Sequence, residues 1–317
     1  MEFQSLSVER RYDRVRDETV YNVSVVFFAI LGQEHVVESL EFSLKTMEEH
    51  KRRVSDLIVA GKAARVDLLR TEVRISEIEQ RLVKEKNALA ILRRTLANLM
   101  GLNFDEAPIE IQGNLELTEV NTDIERCMNM AFATRPDYLS AKAALEALDF
   151  RVAAARGQRY PAVSLQGVYG GKWASGSTGP GGGDSSDDTW KVGVFVDIPI
   201  LDGGRISANI HDQEARLNAA LDRLRKLELQ IRLDVETAIL NVTSARQRVV
   251  SAEKSIALAE ESLRIEREKY EYGKGTITDV LDAQSALLEA QTGYYRTLAE
   301  YKTAMAQLTL AMGGNKI

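Results

Sequence analysis

Gly273-Lys274-Gly275-Thr276-Ile277-Thr278-Asp279-Val280-Leu281-Asp282 decides the fold, because it interrupts two long helical patterns and has a fainter copy earlier in the chain. Residues 205–272 before it hold no proline and no glycine. At a rise of about 1.5 Å per residue they would make a rod of roughly 100 Å. A second helical pattern runs on to Met312. The stretch therefore reads as the tip of a helical hairpin, with glycine ending the first helix in a left-handed cap and Asp279 capping the exposed N–H groups of the returning one.

Shifted back by 212 positions, the same layout stands at Gly61-Lys62, Asp67 and Leu69. The shift also pairs Val37 with Val249, Glu48-Glu49 with Glu260-Glu261, Arg52 with Arg264, Leu96 with Leu308, and Met100-Gly101 with Met312-Gly313. An internal repeat of long hairpins implies a quasi-symmetric assembly of rods. The fold class expected is mainly α: long antiparallel helical hairpins in two tandem repeats. Composition agrees, since 28% charged and 6% aromatic residues with five prolines in 317 suit long helices better than a thick globular core.

The chain divides by pattern into a first repeat at 1–101, a mixed linker at 102–134, an ascending helix at 135–160, a β-hairpin with its loop at 161–200, and a second helical hairpin at 201–317. In the first repeat, Val20, Val23, Phe27, Ile30 and Leu31 form a narrow apolar stripe on a charged rod. In the linker, Ile109-Glu110-Ile111 and Leu115-Glu116-Leu117 alternate like small strands. Arg135-Pro136-Asp137 starts a new helix with proline where the first turn tolerates it, and its alanine-rich run ends near Gly157.

The period then changes. Val163, Leu165 and Tyr169 alternate with Ser164, Gln166 and Val168; Trp190, Val192, Val194, Val196 and Ile198 alternate with Lys191, Gly193, Phe195 and Asp197. Two strands of about 9 to 11 residues are long enough to cross a bilayer within a barrel. Residues 170–189 between them are rich in glycine, serine and aspartate and read as a loop. Pro161 and Pro199 flank the pair, where they cost no central ladder bonds. An ordinary hairpin covering a soluble core is the competing reading, but both strands connect to very long helices with no evident globular body to cover.

The net charge of −6 offers no basic face for nucleic acid. One cysteine, Cys127, excludes an internal disulfide and reads as a small buried residue. His35, His50 and His211 are scattered along rods with no partner at ligand spacing, so no metal, cofactor or catalytic constellation is expected. No apolar run reaches the length of a transmembrane helix, Val23–Leu31 being about half of it. The first residues lack the pattern of a secretory signal.

Ile198-Pro199-Ile200-Leu201-Asp202-Gly203-Gly204-Arg205 at the strand-to-helix junction resembles the outer membrane efflux protein family, the TolC-like channels. Arg135-Pro136-Asp137, the alanine-rich helix to Tyr160-Pro161, and Tyr270-Glu271-Tyr272-Gly273 followed by Asp279-Val280-Leu281-Asp282-Ala283 are similar to it as well. The resemblance implies a homotrimer with a β-barrel in the outer membrane and a helical tunnel in the periplasm. Its hairpin tips would meet a periplasmic adaptor and, through it, an inner-membrane transporter. The implied role is a passive exit duct for efflux or type I secretion, not an enzyme.

Family members carry two strand pairs per chain, and six strands from a trimer fall below the smallest membrane barrel of about eight. The expectation is thus that a signal, a first ascending helix and a first strand pair are missing from this sequence. The resemblance places the pore gate at Asp279, Asp282, Tyr270 and Asp67, with Gly275 standing where the family has its gate arginine and Lys274 beside it. Adaptor contact is expected at Gly61, Lys62, Gly273, Lys274, Gly275 and Thr276, whose small residues let another helical tip approach the backbone. A second reading treats Asp279 and Asp282 as no more than a helix cap and a charge near the positive helix end. A second function class, a soluble coiled-coil scaffold binding partners by its hairpins, also remains open.

Overall fold

The structure, a computed structural model, describes residues 2–102, 111–118, 120, 122–173 and 186–314. It is mainly helical, with six helices and one strand pair among those residues: α1 (Glu2–Val59), α2 (Arg65–Leu99), α3 (Ile124–Thr134), α4 (Pro136–Gly157), β1 (Ala162–Trp173), β2 (Ser186–Asp197), α5 (Arg205–Glu271) and α6 (Ile277–Ala311). The chain separates into two compact units. One comprises Met1–Ser7 and Ser140–Lys226, the other Val8–Leu139 and Leu227–Ile317.

The larger unit contains both helical hairpins. Under the 212-residue shift the bounds of α2 fall on those of α6, each 35 residues long. The turns match in detail. Gly61 and Gly273 have φ of 71° and 69°, and the amides of Lys62 and Lys274 both reach back 2.8 Å to the carbonyls of Leu57 and Lys269. That bond closes a Schellman turn, whose left-handed residue glycine alone adopts without cost.

The two return helices start differently. Thr276 is the N-cap of α6, and its hydroxyl accepts from the Asp279 amide. Asp279, three residues on, accepts from the Thr276 amide at 3.0 Å and the Thr276 hydroxyl at 2.7 Å. Asp279 is thus not the cap itself but the reciprocal half of a capping box. At the first turn the N-cap is Ala64, which has no side-chain acceptor. Only Asp67 contributes there, accepting from the Ala64 amide at 3.2 Å.

The hairpins share a thin apolar seam. Val36, Leu40, Met47 and Val54 of α1, Ile78 of α2, and Ile277, Leu281 and Leu288 of α6 are buried together. Each such side chain contributes about 1.5–3 kcal/mol relative to exposure. Charged residues occupy the remaining faces, with cross-helix pairs such as Lys86–Glu41 and Arg296–Glu85. Helix α1 also contains an 18-residue window of mean hydropathy 1.4, one third of it buried. The apolar stretch is therefore longer than Val23–Leu31 alone suggests, because a few interspersed polar residues break the run without lowering its average much.

The linker departs from its sequence reading. Residues 111–118 form no strand; Ile109 and Glu110 lie outside the described residues. Leu115 is buried and Thr118 is tied down by Tyr301, whose hydroxyl donates to the Thr118 carbonyl, and by Lys302, 2.6 Å from the Thr118 hydroxyl. Apolar alternation here reflects a strap lying on helices, with no strand beside it among the described residues. The strap crosses α1 at Gly113, where a Cβ would come within 2.8 Å of the Phe27 ring and 2.9 Å of Leu31. The sequence reading also missed α3, although Asp123 caps it at the Glu125 amide and Cys127 and Ala131 are buried one turn apart.

Arg135 stands between α3 and α4 with only 2% of its side chain exposed. Its guanidinium bonds Asp137 at 2.7 and 3.1 Å, Asp234 of α5 at 3.0 Å, and the Ala311 carbonyl at the end of α6 at 3.4 Å. Burial works to raise the Asp137 carboxyl, but the bonds and charge of Arg135 outweigh it and hold the group below the usual carboxylate range.

In the smaller unit Val152 and Ala155 of α4 and Ile210 of α5 are buried, and Arg156 of α4 donates to Glu214 of α5 at 2.7 Å. At the start of α5 Gly203 and Gly204 both have positive φ, and the Asp202 carboxylate accepts from the amides of Gly204 and Ile206 at 3.0 and 2.7 Å. The strands pair antiparallel in a register running from Ala162↔Asp197 to Trp173↔Ser186. Val163↔Val196, Leu165↔Val194, Gly167↔Val192 and Tyr169↔Trp190 fall on one face, and Ser164↔Phe195, Gln166↔Gly193 and Val168↔Lys191 on the other. The side chains of the first face are exposed. The central part of the predicted loop, 174–185, lies outside the described residues.

Two outcomes follow from this packing. Ala64→Thr should complete the first capping box and raise stability by about 1 kcal/mol, read as a shift of the urea midpoint. Arg135→Met should lower stability by about 3 kcal/mol, as expected when one partner of a buried ion pair is removed. Because the folded Asp137 carboxyl is depressed, its contribution is complete above the unfolded value near 3.9 and is lost as pH falls through the lower folded value. Urea midpoints measured from pH 7 downward should thus drop more steeply below about pH 4 in the native chain than in Arg135→Met.

Candidate functional site at the hairpin tips

The two turns bring most of the sequence-predicted tip residues into one neighbourhood at the end of the larger unit. Gly61, Lys62, Gly273, Lys274 and Thr276 are exposed, and Gly275 is half-buried. A Cβ on Gly275 would lie 3.0 Å from Lys269 Cβ and 3.3 Å from the Tyr270 amide. Glycine is thus favoured there by close approach of the chain to its own preceding turn, and a larger side chain would need that turn to give by a few tenths of an ångström.

Cross-links between the hairpins come instead from α2. The Arg70 guanidinium donates to the Thr278 hydroxyl at 2.8 Å, and Arg74 lies 3.8 Å from Asp282 while also holding Glu77 at 2.6 Å. These contacts are exposed, so each is worth a fraction of a kcal/mol and yields easily. Sequence reasoning missed both arginines, because their partners lie 208 positions away, near the second tip.

The four carboxylate and phenol positions occupy distinct environments. Asp279 is committed to Thr276, whose hydroxyl and amide hold its carboxyl below the usual range. Asp282 faces outward, 71% exposed, with Arg74 as its cation. Asp67 caps α2. Tyr270 is half-buried, packed against the seam, and burial followed by the charge of Asp67 pushes its hydroxyl above its ordinary value. Asp67 and Tyr270 are therefore brought within electrostatic range, whereas Asp279 and Asp282 of one chain serve different partners.

A groove of about 410 Å³ opens beside Tyr270, lined by α1, α5 and Val280 of α6. His50 lines it with its ring 6.3 Å from that of Tyr270, and its Nε2 is shielded from water with no hydrogen-bond partner. Burial, then Arg267 and Arg53, lower the imidazole's pKa. Cys127 is buried elsewhere, in α3. Among the described residues no three His, Cys, Asp or Glu side chains are grouped as metal ligands. The chemistry available at the tips is electrostatic: carboxylates, guanidiniums and weak exposed cross-links around a turn.

Residues 127–314 match the outer membrane efflux protein family. The chain is 23% identical over 293 residues to the outer membrane efflux protein BepC of Brucella suis, covering 92% of this chain and 62% of BepC. It is 23% identical over 278 residues to nodulation protein T of Rhizobium leguminosarum bv. trifolii, covering 86% and 58%. The chain thus spans about three-fifths of the length of these relatives. Among solved structures it resembles the outer membrane protein VceC of Vibrio cholerae, with a TM-score of 0.81 at 19% identity over 99% of this chain and 74% of VceC. It also resembles the open state of the Neisseria gonorrhoeae MtrE outer membrane channel, with a TM-score of 0.80 at 21% identity over 98% and 69%. The fold is that of these channels, and with the match covering more than half its length, the chain belongs to the outer membrane efflux protein family.

Proposed function

We propose that this chain is a subunit of a trimeric outer-membrane exit duct serving a tripartite efflux or type I secretion system. The observation that carries the reading is the strand pair. Four successive cross-strand positions present an exposed face of valine, leucine, tyrosine and tryptophan, with a more polar face behind. Its rows from Val163 to Tyr169 extend about 20 Å at the rise of a strand, close to the apolar band of about 25 Å on membrane barrels, and end in the aromatic pair typical of an interfacial girdle. A barrel takes at least about eight strands, so the pair is one contribution among several. A soluble coiled-coil scaffold would leave that face in water, which counts against it.

The helical hairpins then extend the duct into the periplasm, and the tips form its mouth. An adaptor contacts Gly61, Lys62, Gly273, Lys274, Gly275 and Thr276, and an inner-membrane transporter supplies energy and selects cargo. Asp282 of each chain contributes to a ring of carboxylates that draws cations to the closed mouth. Asp279 stiffens the turn beside it while adding charge, and Asp67 does the same at the first tip, its charge reaching Tyr270 of the second hairpin. The Arg70–Thr278 and Arg74–Asp282 contacts serve as the latch that the absent arginine at Gly275 would otherwise provide. Being exposed and weak, they release when a partner docks.

Single-channel recording of the assembled duct, read beside its melting curve, tests these roles. The paired substitution Asp279→Asn with Asp282→Asn should weaken cation block and selectivity. Thr276→Ala should lower stability by about 1 kcal/mol through the lost cap and leave selectivity unchanged; selectivity that follows the cap and not the carboxylates would sink the ring. Replacing Arg70 and Arg74 together by serine should raise the conductance of the closed mouth with little change in melting. An unaltered conductance would place the latch elsewhere.

A further inference from the structure

Arg53 of α1 and Arg267 of α5 line the same groove, and among the described residues neither is ion-paired. The Arg267 guanidinium donates to the neutral amide oxygen of Gln284 at 2.8 Å. Burial, followed by the charge of Arg53, depresses Arg267, and both arginines depress His50. Like charges are therefore held near each other across two helices, beside an imidazole whose Nε2 has no partner. The floor between them is apolar, made by Val54, Leu57, Tyr270 and Val280. Glu49, Asp56 and Glu271 share the lining and Glu271 acts on Arg267 through space, but among the described residues neither guanidinium has a carboxylate within ion-pair distance.

We propose that this groove is a binding site for a small organic monoanion, a carboxylate on an apolar body, held at the carboxylate by Arg53 and Arg267 and along the body by the apolar floor. The volume of about 410 Å³ lies within the range of small-molecule pockets. A carboxylate matches the fork of a guanidinium and removes the repulsion between the two arginines. Glu49, Asp56 and Glu271 also line the groove; they weaken the binding of any anion and bear harder on a dianion than on a monoanion, so a singly charged ligand is favoured. Bound ligand joins α1 to α5 and so stabilises the tip.

His50 makes the affinity depend on pH. The groups facing it are Glu49, Arg53 and Asp56 from α1 and Arg267, Tyr270 and Glu271 from α5, while α6 presents Val280 and the neutral Gln284. Protonating the imidazole adds a positive charge to the site, so an anion binds more tightly as pH falls toward and below the ordinary histidine value of about 6.5, and by linkage the anion raises the imidazole's pKa.

Calorimetric titration of the full chain with octanoate, octanol, octylamine and octanedioate tests the assignment. Octanoate should bind and raise the melting temperature, octanol and octylamine should bind at least about tenfold more weakly, and octanedioate should also be weaker. Octanoate affinity should fall about tenfold or more in Arg267→Gln and in Arg53→Gln; the latter changes an exposed side chain and keeps the test valid should the former fail to fold. Because the imidazole is depressed below its ordinary value, affinity should rise as pH falls from about 6.5 to about 5.5 in the native chain and stay flat in His50→Gln. No binding of octanoate, equal binding of octanol, or affinity indifferent to both arginine substitutions would overturn the site.

Discussion

Arg135 keeps its charge where water scarcely reaches, and three helices depend on how that charge is met. Two aspartates and a helix-terminal carbonyl surround it, which fixes the first turn of α4, the middle of α5 and the last turn of α6 relative to one another. Rods packed along a narrow seam can slide, because a one-turn shift replaces each leucine or valine contact by a similar one. A buried guanidinium cannot slide, since any shift leaves it without partners at a cost of several kcal/mol. The apolar seam supplies most of the attraction between the rods, and the ion cluster fixes their register.

The repeat was legible in the sequence because turn chemistry is local. Glycine at the left-handed position and aspartate at the third helical residue answer to backbone geometry within a few residues. Their recurrence at Gly61 and Gly273 consequently located both tips and the start of both return helices. The strand pair was legible for a similar reason, its alternation being forced by the pleat. Helix α3 was not, since eleven residues offer few turns of periodicity beside a strap whose apolar residues alternate for another cause. The role of Arg135 was hidden too: Arg135-Pro136-Asp137 announces a helix start, but Asp234 and Ala311 are distant in sequence.

At the tips, residue positions were readable and their chemical partners were not. Asp279 and Thr276 form a local unit three residues apart, yet only the geometry assigns the cap to the threonine. Gly275 reads from sequence as a missing arginine, whereas the close approach of Lys269 and Tyr270 gives glycine a steric reason of its own. The arginines that join the hairpins, and the pair that faces His50, depend on contacts between helices far apart in the chain. Side-chain spacing along a single helix carries no record of them.

The strand pair has a consequence for the order of events as the protein matures. Among the described residues each strand has a hydrogen-bonded neighbour on one side only, so its outer edge presents unmet amides and carbonyls. The helices close their backbone bonds internally and are complete in water. The hairpin's outer edges must be met before hydrocarbon surrounds them, where each unmet group costs several kcal/mol. In the proposed duct the rods would form first and find one another through their sides, and the wall would close only when neighbouring strands arrive together. Entry into a bilayer would then be a step of high kinetic order in subunit concentration, with a solitary chain held back from it by its own exposed edges.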